Sequence, residues 1–165
     1  MNTNIYGLGE IIASSGFRRA IEGNGSLTTF WNRDVSDPID QNEYGTHPIY
    51  VEHRYDSSSS NPPLTHGVFH KSAAGRDIIM QTPEGASTSM IQYRAIGGTL
   101  DLYFFSGPTP KDVVQQYGQM IGLPTWWPMW GFGFHLCRWG YANISELQEN
   151  VANMRAANIP LESEL

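Results

Sequence analysis

The sequence predicts two architectures in succession: a mainly antiparallel β-sandwich, followed by the first strand and helix of an α/β domain. Two observations predict this fold class. Before Gly107, short β-prone segments alternate with turn residues, which is the pattern of a sandwich. After Gly107, helical periodicity flanks a run that is apolar on both strand faces, as in a parallel sheet covered by helices.

The β part consists of short runs rich in β-branched and aromatic residues, separated by Gly, Pro, Ser and Asn. The predicted strands are residues 26–33, 47–54, 66–71, 77–81, 89–96 and 99–105. In the last of them, Leu100, Leu102 and Phe104 are expected on one face, because strand side chains alternate. The Ser- and Pro-rich run at 57–63 predicts a loop.

A helix is predicted directly after the β part. Thr109 is a suitable N-cap, Pro110 fits the first helical position, and Gly122 is expected to end the helix. The apolar stripe of this helix comprises Val113, Tyr117 and Met120.

A buried strand and a second helix are predicted next. Residues 131–137 are expected to form the strand, with Cys137 buried at its end. Ser145 and Gln148 have the spacing of a capping box, and Asn158 is expected to close the helix. Residues 159–161 could start another strand, so this part is expected to be the opening of a βαβ unit.

These elements imply three regions. Residues 1–106 are expected to form a partial β-sandwich, and residues 107–128 a connecting helix and a Trp-rich linker. Residues 129–165 are expected to be the first βα unit of a larger α/β domain.

The composition excludes several classes of partner. The formal net charge is −6 with ten Lys and Arg, and no long basic run occurs. We therefore expect neither nucleic acid nor an anionic membrane surface as a partner. No apolar stretch is long enough to span a bilayer, so no membrane segment is expected.

The chain offers few metal ligands. Cys137 is the only cysteine, which leaves no internal disulfide and no Cys/His zinc motif. His66 and His70 lie four apart in a predicted strand, where ordinary sheet packing is the expected role. No metal and no cofactor are predicted.

The N-terminal residues lack a basic segment followed by an apolar run, so no signal peptide is predicted in this chain. Two Asn-x-Ser sequons, at Asn24 and Asn143, are candidate glycosylation sites if the protein enters the secretory route.

Several segments carry a family resemblance in their order and spacing. They are residues 6–10 (YGLGE), 30–34 (FWNRD), 44–50 (YGTHPIY), 93–101, 105–110 and 132–141 (FGFHLCRWGY). Together they resemble glycoside hydrolase family 31, especially its fungal and animal α-glucosidases. The resemblance covers the chain up to about Leu161.

The resemblance implies a mutarotase-like sandwich followed by a (β/α)₈ catalytic barrel. In that family the barrel releases terminal α-linked glucose from maltose, malto-oligosaccharides and starch with retention of configuration, using two Asp side chains. Both Asp lie in later barrel strands of the family, so no catalytic residue is expected here. Residues 162–165 (ESEL) also depart from the family pattern. We therefore expect a fragment that is inactive without the remainder of the barrel.

Two substrate-binding residues follow from the resemblance. Asp34 matches an Asp that the family extends from the sandwich to sugar hydroxyls, and Trp139 matches an aromatic residue beside the sugar. The alternatives are a turn-forming Asp34 and a packing Trp139. Arg138 is expected to be structural, paired with a carboxylate outside this chain.

Other functions share these features. An α-xylosidase or an α-glucan lyase of the same family, or a non-catalytic carbohydrate-binding β module, would contain similar segments. The family resemblance also implies a secreted, lysosomal or vacuolar location for the complete protein.

Overall fold

The computed structural model describes residues 2–165, which form two compact units, one up to Gly122 and one from Leu123 to Leu165. The first unit contains seven of the described strands and one helix. The strands are β1 (Asn2–Gly7), β2 (Ser26–Thr29), β3 (Ile49–Tyr55), β4 (Leu64–His70), β5 (Arg76–Gln81), β6 (Met90–Ala95) and β7 (Leu102–Phe105), and the helix is α1 (Pro110–Ile121).

The strands of the first unit form two antiparallel sheets. One has the order β1-β3-β4-β7 and the other the order β2-β5-β6. This confirms the predicted mainly antiparallel β fold. All six predicted strands exist, although β1 was not predicted, because its sequence NTNIYG is largely polar.

One hydrophobic core lies between the two sheets. Tyr50 and Val68 contribute from the first sheet, and Ile78 and Met80 from the second. β3 and β5 bury alternate residues, for example Arg76, Ile78 and Met80 in β5, whereas β4 is buried on both faces from Gly67 to His70. The alternation therefore fixes which face of each sheet is turned inward.

A second core lies on the opposite face of the four-stranded sheet, beneath α1. Val113 of the helix is fully buried against Phe69 and Phe105, with Tyr117 packed around them. Gly67 provides the space, because a Cβ there would lie 2.7 Å from Cγ1 of Val113. The unit is thus layered as sheet, sheet and helix.

The limits of α1 are those that the sequence predicts. Thr109 is the N-cap and accepts a hydrogen bond from the Asp112 amide, Pro110 opens the helix, and Gly122 is the C-cap. These residues act through local backbone geometry, so no tertiary contact is needed to predict them.

The two faces of β7 and the residues before it have different surroundings. Leu102 packs against the inter-sheet core, but Leu100 and Phe104 are exposed. Phe105, on the other face, is buried beneath α1. The helix thus covers the face of β7 opposite to Leu102.

The second unit has little regular structure. It contains a 3₁₀ turn (Met129–Phe132), β8 (His135–Leu136), α2 (Ile144–Ala156) and β9 (Ser163–Glu164). β8 and β9 pair in parallel, which agrees with the predicted start of an α/β domain.

Three local predictions in this unit are wrong. The strand predicted at 131–137 is reduced to two residues, since its first part forms the 3₁₀ turn. Asn143, rather than Ser145, caps α2, because its side-chain oxygen accepts from the Glu146 amide. Cys137 is exposed rather than buried, because it follows the short strand.

Across residues 2–165, no helix is both long and apolar enough to cross a membrane.

Candidate functional site

Three segments that carry the family resemblance converge in the first unit. The Glu10 amide donates to the Gly45 carbonyl at 3.0 Å, and the Glu43 amide donates to the Glu10 carbonyl at 2.9 Å. The Arg33 amide donates to the Glu43 carbonyl at 2.8 Å. We call residues 31–45 the Asp34 loop. Its two ends are thus held side by side against residues 9–10.

A glycine and a buried arginine hold the segment beneath the loop. Gly9 has φ +110°, and a Cβ there would lie 2.7 Å from the Gly45 carbonyl oxygen. Any side chain would therefore force the two segments apart. Nε of Arg19 donates to the Gly7 carbonyl at 2.9 Å. Burial lowers the pKa of the Arg19 guanidinium.

Asp34 is exposed on this loop. Its Oδ1 accepts a hydrogen bond of 2.9 Å from the Tyr44 hydroxyl. An Asp that forms a turn accepts a hydrogen bond from a backbone amide close by in sequence. Among residues 2–165, the Asp34 carboxylate accepts from no backbone amide. Asp56 does make such a bond, accepting from the Ser58 amide two residues further on at 3.0 Å.

Trp139 lies in the second unit, in the loop that follows β8. Its side chain is fully exposed, at 101% of the reference area. The loop after a parallel strand is where barrel enzymes place residues that contact substrate. The Trp139 side chain is therefore not packed against other parts of residues 2–165.

Arg138 is the neighbour of Trp139. The prediction that Arg138 pairs with a carboxylate outside this chain is wrong. It forms a salt bridge with Glu146 of α2, inside this chain, and its guanidinium lies 4.3 Å from the Tyr141 ring centroid. The sequence did not indicate this pair, because Arg138 and Glu146 are eight residues apart and only the folded loop between them brings the two side chains together.

The two predicted binding residues belong to different compact units, so each site is defined within its own unit. The structure brings Asp34 together with Tyr44, which the sequence did not single out as a site residue. Tyr44 does open one of the segments that carry the resemblance, and this was the signal that could have identified it.

The buried carboxylate of Glu52 already has partners, whereas the buried Oε1 of Glu43 has no hydrogen-bond partner within residues 2–165. Glu52 accepts from Nε and Nη2 of Arg54 at 2.6 and 2.9 Å, and its Oε2 lies 3.3 Å from Nε2 of His66. His70 lies 2.6 Å from a guanidinium nitrogen of Arg76. His66 therefore makes its contact within the four-stranded sheet, and His70 joins that sheet to β5 of the other.

The glutamates at the end of the chain also make structural contacts. Glu164 accepts from the Tyr141 hydroxyl at 2.5 Å. The side chain of Glu162 lies against Gly133.

The second unit matches a known domain family. Residues 124–164 match the model described as the TIM-barrel domain of the glycosyl hydrolases of family 31.

Nearly the whole chain is similar to curated proteins. It is 44% identical over 162 residues to glucoamylase 1 of Schwanniomyces occidentalis, covering 98% of this chain and 15% of that protein. It is also 44% identical over 160 residues to an α-glucosidase of Hordeum vulgare, covering 96% of this chain and 16% of that protein. The chain thus spans about 15% of the length of these relatives.

Solved structures show the same fold. A family 31 α-glucosidase from Bacteroides thetaiotaomicron superposes with a TM-score of 0.70 at 22% identity, over 96% of this chain and 24% of that one. The glucosidase II α subunit superposes with a TM-score of 0.71 at 22% identity, over 95% of this chain and 18% of that one.

Proposed function

Since this chain belongs to glycoside hydrolase family 31, we propose that it forms part of a retaining α-glucosidase acting on maltose, malto-oligosaccharides and starch. The observation that carries the proposal is the Asp34 carboxylate, exposed on a loop that backbone hydrogen bonds hold at both ends. Its role is to bind hydroxyls of the terminal glucose.

The chemistry of Asp34 suits this role. An ionised carboxylate accepts hydrogen bonds and donates none, so it complements the hydroxyl donors of a pyranose. Charge-assisted bonds of this kind are stronger than neutral ones. A loop that is already ordered loses little further conformational entropy when it binds. Trp139 supplies an exposed aromatic face, which can cover the apolar face of the sugar.

The reacting carboxylates come from other parts of the enzyme in this proposal. Retention needs a nucleophile and an acid about 5 Å apart. The buried glutamate Glu52 is neutralised by Arg54, and Glu164 is bound to Tyr141. The 165-residue polypeptide by itself is therefore proposed to bind sugar at most and to hydrolyse none.

The proposed location of the complete enzyme is the secretory route, leading outside the cell or to the lysosome or vacuole. Asn24 is exposed in a turn, and the exposed Asn143 caps α2 through its oxygen, which leaves the amide nitrogen as the point of attachment. Both remain candidate glycosylation sites.

Segment exchange tests the proposal. The stretch of Schwanniomyces occidentalis glucoamylase 1 that aligns with this chain would be replaced by residues 1–165. We expect a folded enzyme that releases glucose from maltose, with the unmodified glucoamylase as the control.

The substrate panel decides between related functions. Maltose, soluble starch and an α-xyloside would be assayed, with release of an unsaturated product monitored for the lyase. A folded exchange protein that releases xylose or a lyase product instead of glucose would contradict the proposal. A folded protein that binds maltose without turnover would favour an accessory carbohydrate-binding module.

A further inference from the structure

The two ends of the Asp34 loop run side by side in a defined register. The backbone bond from Arg33 to Glu43 comes one residue before the side-chain bond between Asp34 and Tyr44. A second side-chain bond joins Nη1 of Arg33 to Oε1 of Gln41 at 3.1 Å. The backbone register alone thus places Tyr44 opposite Asp34, independently of the contact between their side chains.

The hydrogen bond occupies only one of the two Asp34 carboxylate oxygens. Tyr44 donates to Oδ1 at 2.9 Å, while Oδ2 has no hydrogen-bond partner within residues 2–165. Both side chains are exposed, with 56% of Tyr44 accessible. A ligand hydroxyl can therefore reach Oδ2 without displacing the tyrosine.

Tyr44 remains a donor at neutral pH. The hydrogen bond to Asp34, followed by the negative charge of that carboxylate, raises the pKa of the phenol above its ordinary value of 10.0. The negative charges of Glu43 and Glu10 act in the same direction. The phenol therefore keeps, at neutral pH, the proton that it donates to Asp34.

We propose that Tyr44 is a positioning residue, whose hydroxyl holds the Asp34 carboxylate in one orientation and leaves Oδ2 for a hydroxyl of the sugar. The identity of the ligand as a sugar rests on the proposed function. The orientation of Asp34 rests on the hydrogen bond alone. The two parts can be tested separately.

The orientation is tested in the 165-residue chain by NMR. Coupling constants between the α and β protons of Asp34 report its χ1 rotamer. We expect one dominant rotamer in the unmodified chain and averaged couplings in Tyr44→Phe, which removes only the hydroxyl. Tyr55→Phe is the matched control, because the Tyr55 hydroxyl makes no hydrogen bond within residues 2–165. Averaged Asp34 couplings in the unmodified chain would overturn the proposal.

The consequence for the sugar is tested in the segment-exchanged glucoamylase. Tyr44→Phe should lower kcat/KM for maltose by about five- to twentyfold, while Tyr55→Phe stays within about twofold. In an Asp34→Ala background, Tyr44→Phe should have an effect of less than about twofold, because its target is absent. A purely structural tyrosine would lower the melting temperature equally in both backgrounds and leave kcat/KM unchanged.

The outcomes separate the two proposals. If the exchanged enzyme hydrolyses maltose and Tyr44→Phe keeps its full kcat/KM, the role of Tyr44 is overturned and the proposed function stands. If the exchanged enzyme folds without activity while the couplings show one Asp34 rotamer that depends on Tyr44, the proposed function is overturned and the orientation of Asp34 by Tyr44 is supported.

Discussion

At the scale of single residues, the Asp34 carboxylate is exposed in a loop, whereas Glu52 is buried in a strand. The pattern of residues 30–34 singled out Asp34, and the structure shows it exposed and bonded to Tyr44. Nothing in the sequence pairs residue 34 with residue 44, because the pairing depends on a loop that folds back against Glu10. Cys137 shows the converse error: its apolar neighbours predicted burial, but it lies beyond the strand.

The Glu52 carboxylate makes the stability of the first unit depend on pH. Only 8% of the residue is exposed. Burial alone would raise the pKa of Glu52, but the hydrogen bond and charge of Arg54, aided by His66 and Thr3, hold it below its ordinary value of 4.5. A lowered pKa means that the native state favours the ionised form. The stabilisation is therefore complete above pH 4.5 and is lost as the pH falls through the native pKa.

We expect Glu52→Gln to lower the free energy of unfolding at pH 7 by roughly 1–2 kcal/mol, a modest value because Arg54 is partly exposed. The difference from the unmodified chain should shrink as the pH falls below 4.5. Urea unfolding across pH 7 to about 3 measures this. Glu84→Gln, at an exposed loop position, is the control. A difference that stays constant over this range would show that the charge of Glu52 is not responsible.

At the scale of elements, helix ends that depend on local sequence were predictable, and strands that depend on tertiary pairing were not. The caps of α1 follow from Thr109 and Gly122 alone. The strand predicted at 131–137 rests on apolar residues without a pairing partner, and only two of its residues pair. β1 was missed because three of its six residues, two Asn and one Gly, are of types that are rare in strands, and the strand is held by its pairing with β3.

The contact between Gly67 and Val113 should determine how closely α1 packs on the sheet. Gly67→Ala places a Cβ 2.7 Å from Cγ1 of the buried Val113, so we expect a loss of about 1–3 kcal/mol. Val113→Ala should cost about 1–2.5 kcal/mol through lost burial. The double variant should cost less than the sum, because the smaller side chain at 113 makes room for the new methyl group.

Urea unfolding of the three variants measures these free energies. Val114→Ala is the matched control, since the neighbouring valine is 65% exposed and should change stability by no more than about 0.5 kcal/mol. Additive losses in the double variant would show that Gly67 is not needed for the approach of α1.

At the scale of the whole molecule, the two units differ in how much apolar surface they bury. The first unit has two hydrophobic cores. In the second, α2 and the 3₁₀ turn contain no buried residue. The sequence predicted a change of architecture near Gly107, and the compact units meet at Gly122, after α1. The helix joins the first unit because its apolar stripe covers Phe69 and Phe105.

This difference predicts unequal local stability. In the 165-residue chain, amides of α2 should exchange with solvent at least about a hundredfold faster than those of α1, although the helices have 13 and 12 residues. Helices of this length are marginal without a packed face. Hydrogen exchange followed by NMR compares the two helices in one sample. Equal protection would show that the second unit is stable without a core of its own.

The central claim is that this chain carries a sugar-binding carboxylate for an α-glucosidase, and Asp34→Ala in the segment-exchanged glucoamylase tests it most directly. We expect kcat/KM for maltose to fall by about thirty- to a thousandfold, corresponding to roughly 2–4 kcal/mol, because a charge-assisted hydrogen bond to the sugar is lost. The melting temperature should stay nearly unchanged, because Asp34 is exposed.

Asp37→Ala is the control for this measurement, since Asp37 is exposed in the same loop and makes no hydrogen bond within residues 2–165. It should keep the kcat/KM of the exchanged enzyme within about twofold. An Asp34→Ala enzyme that is folded and retains the full kcat/KM for maltose would contradict the account.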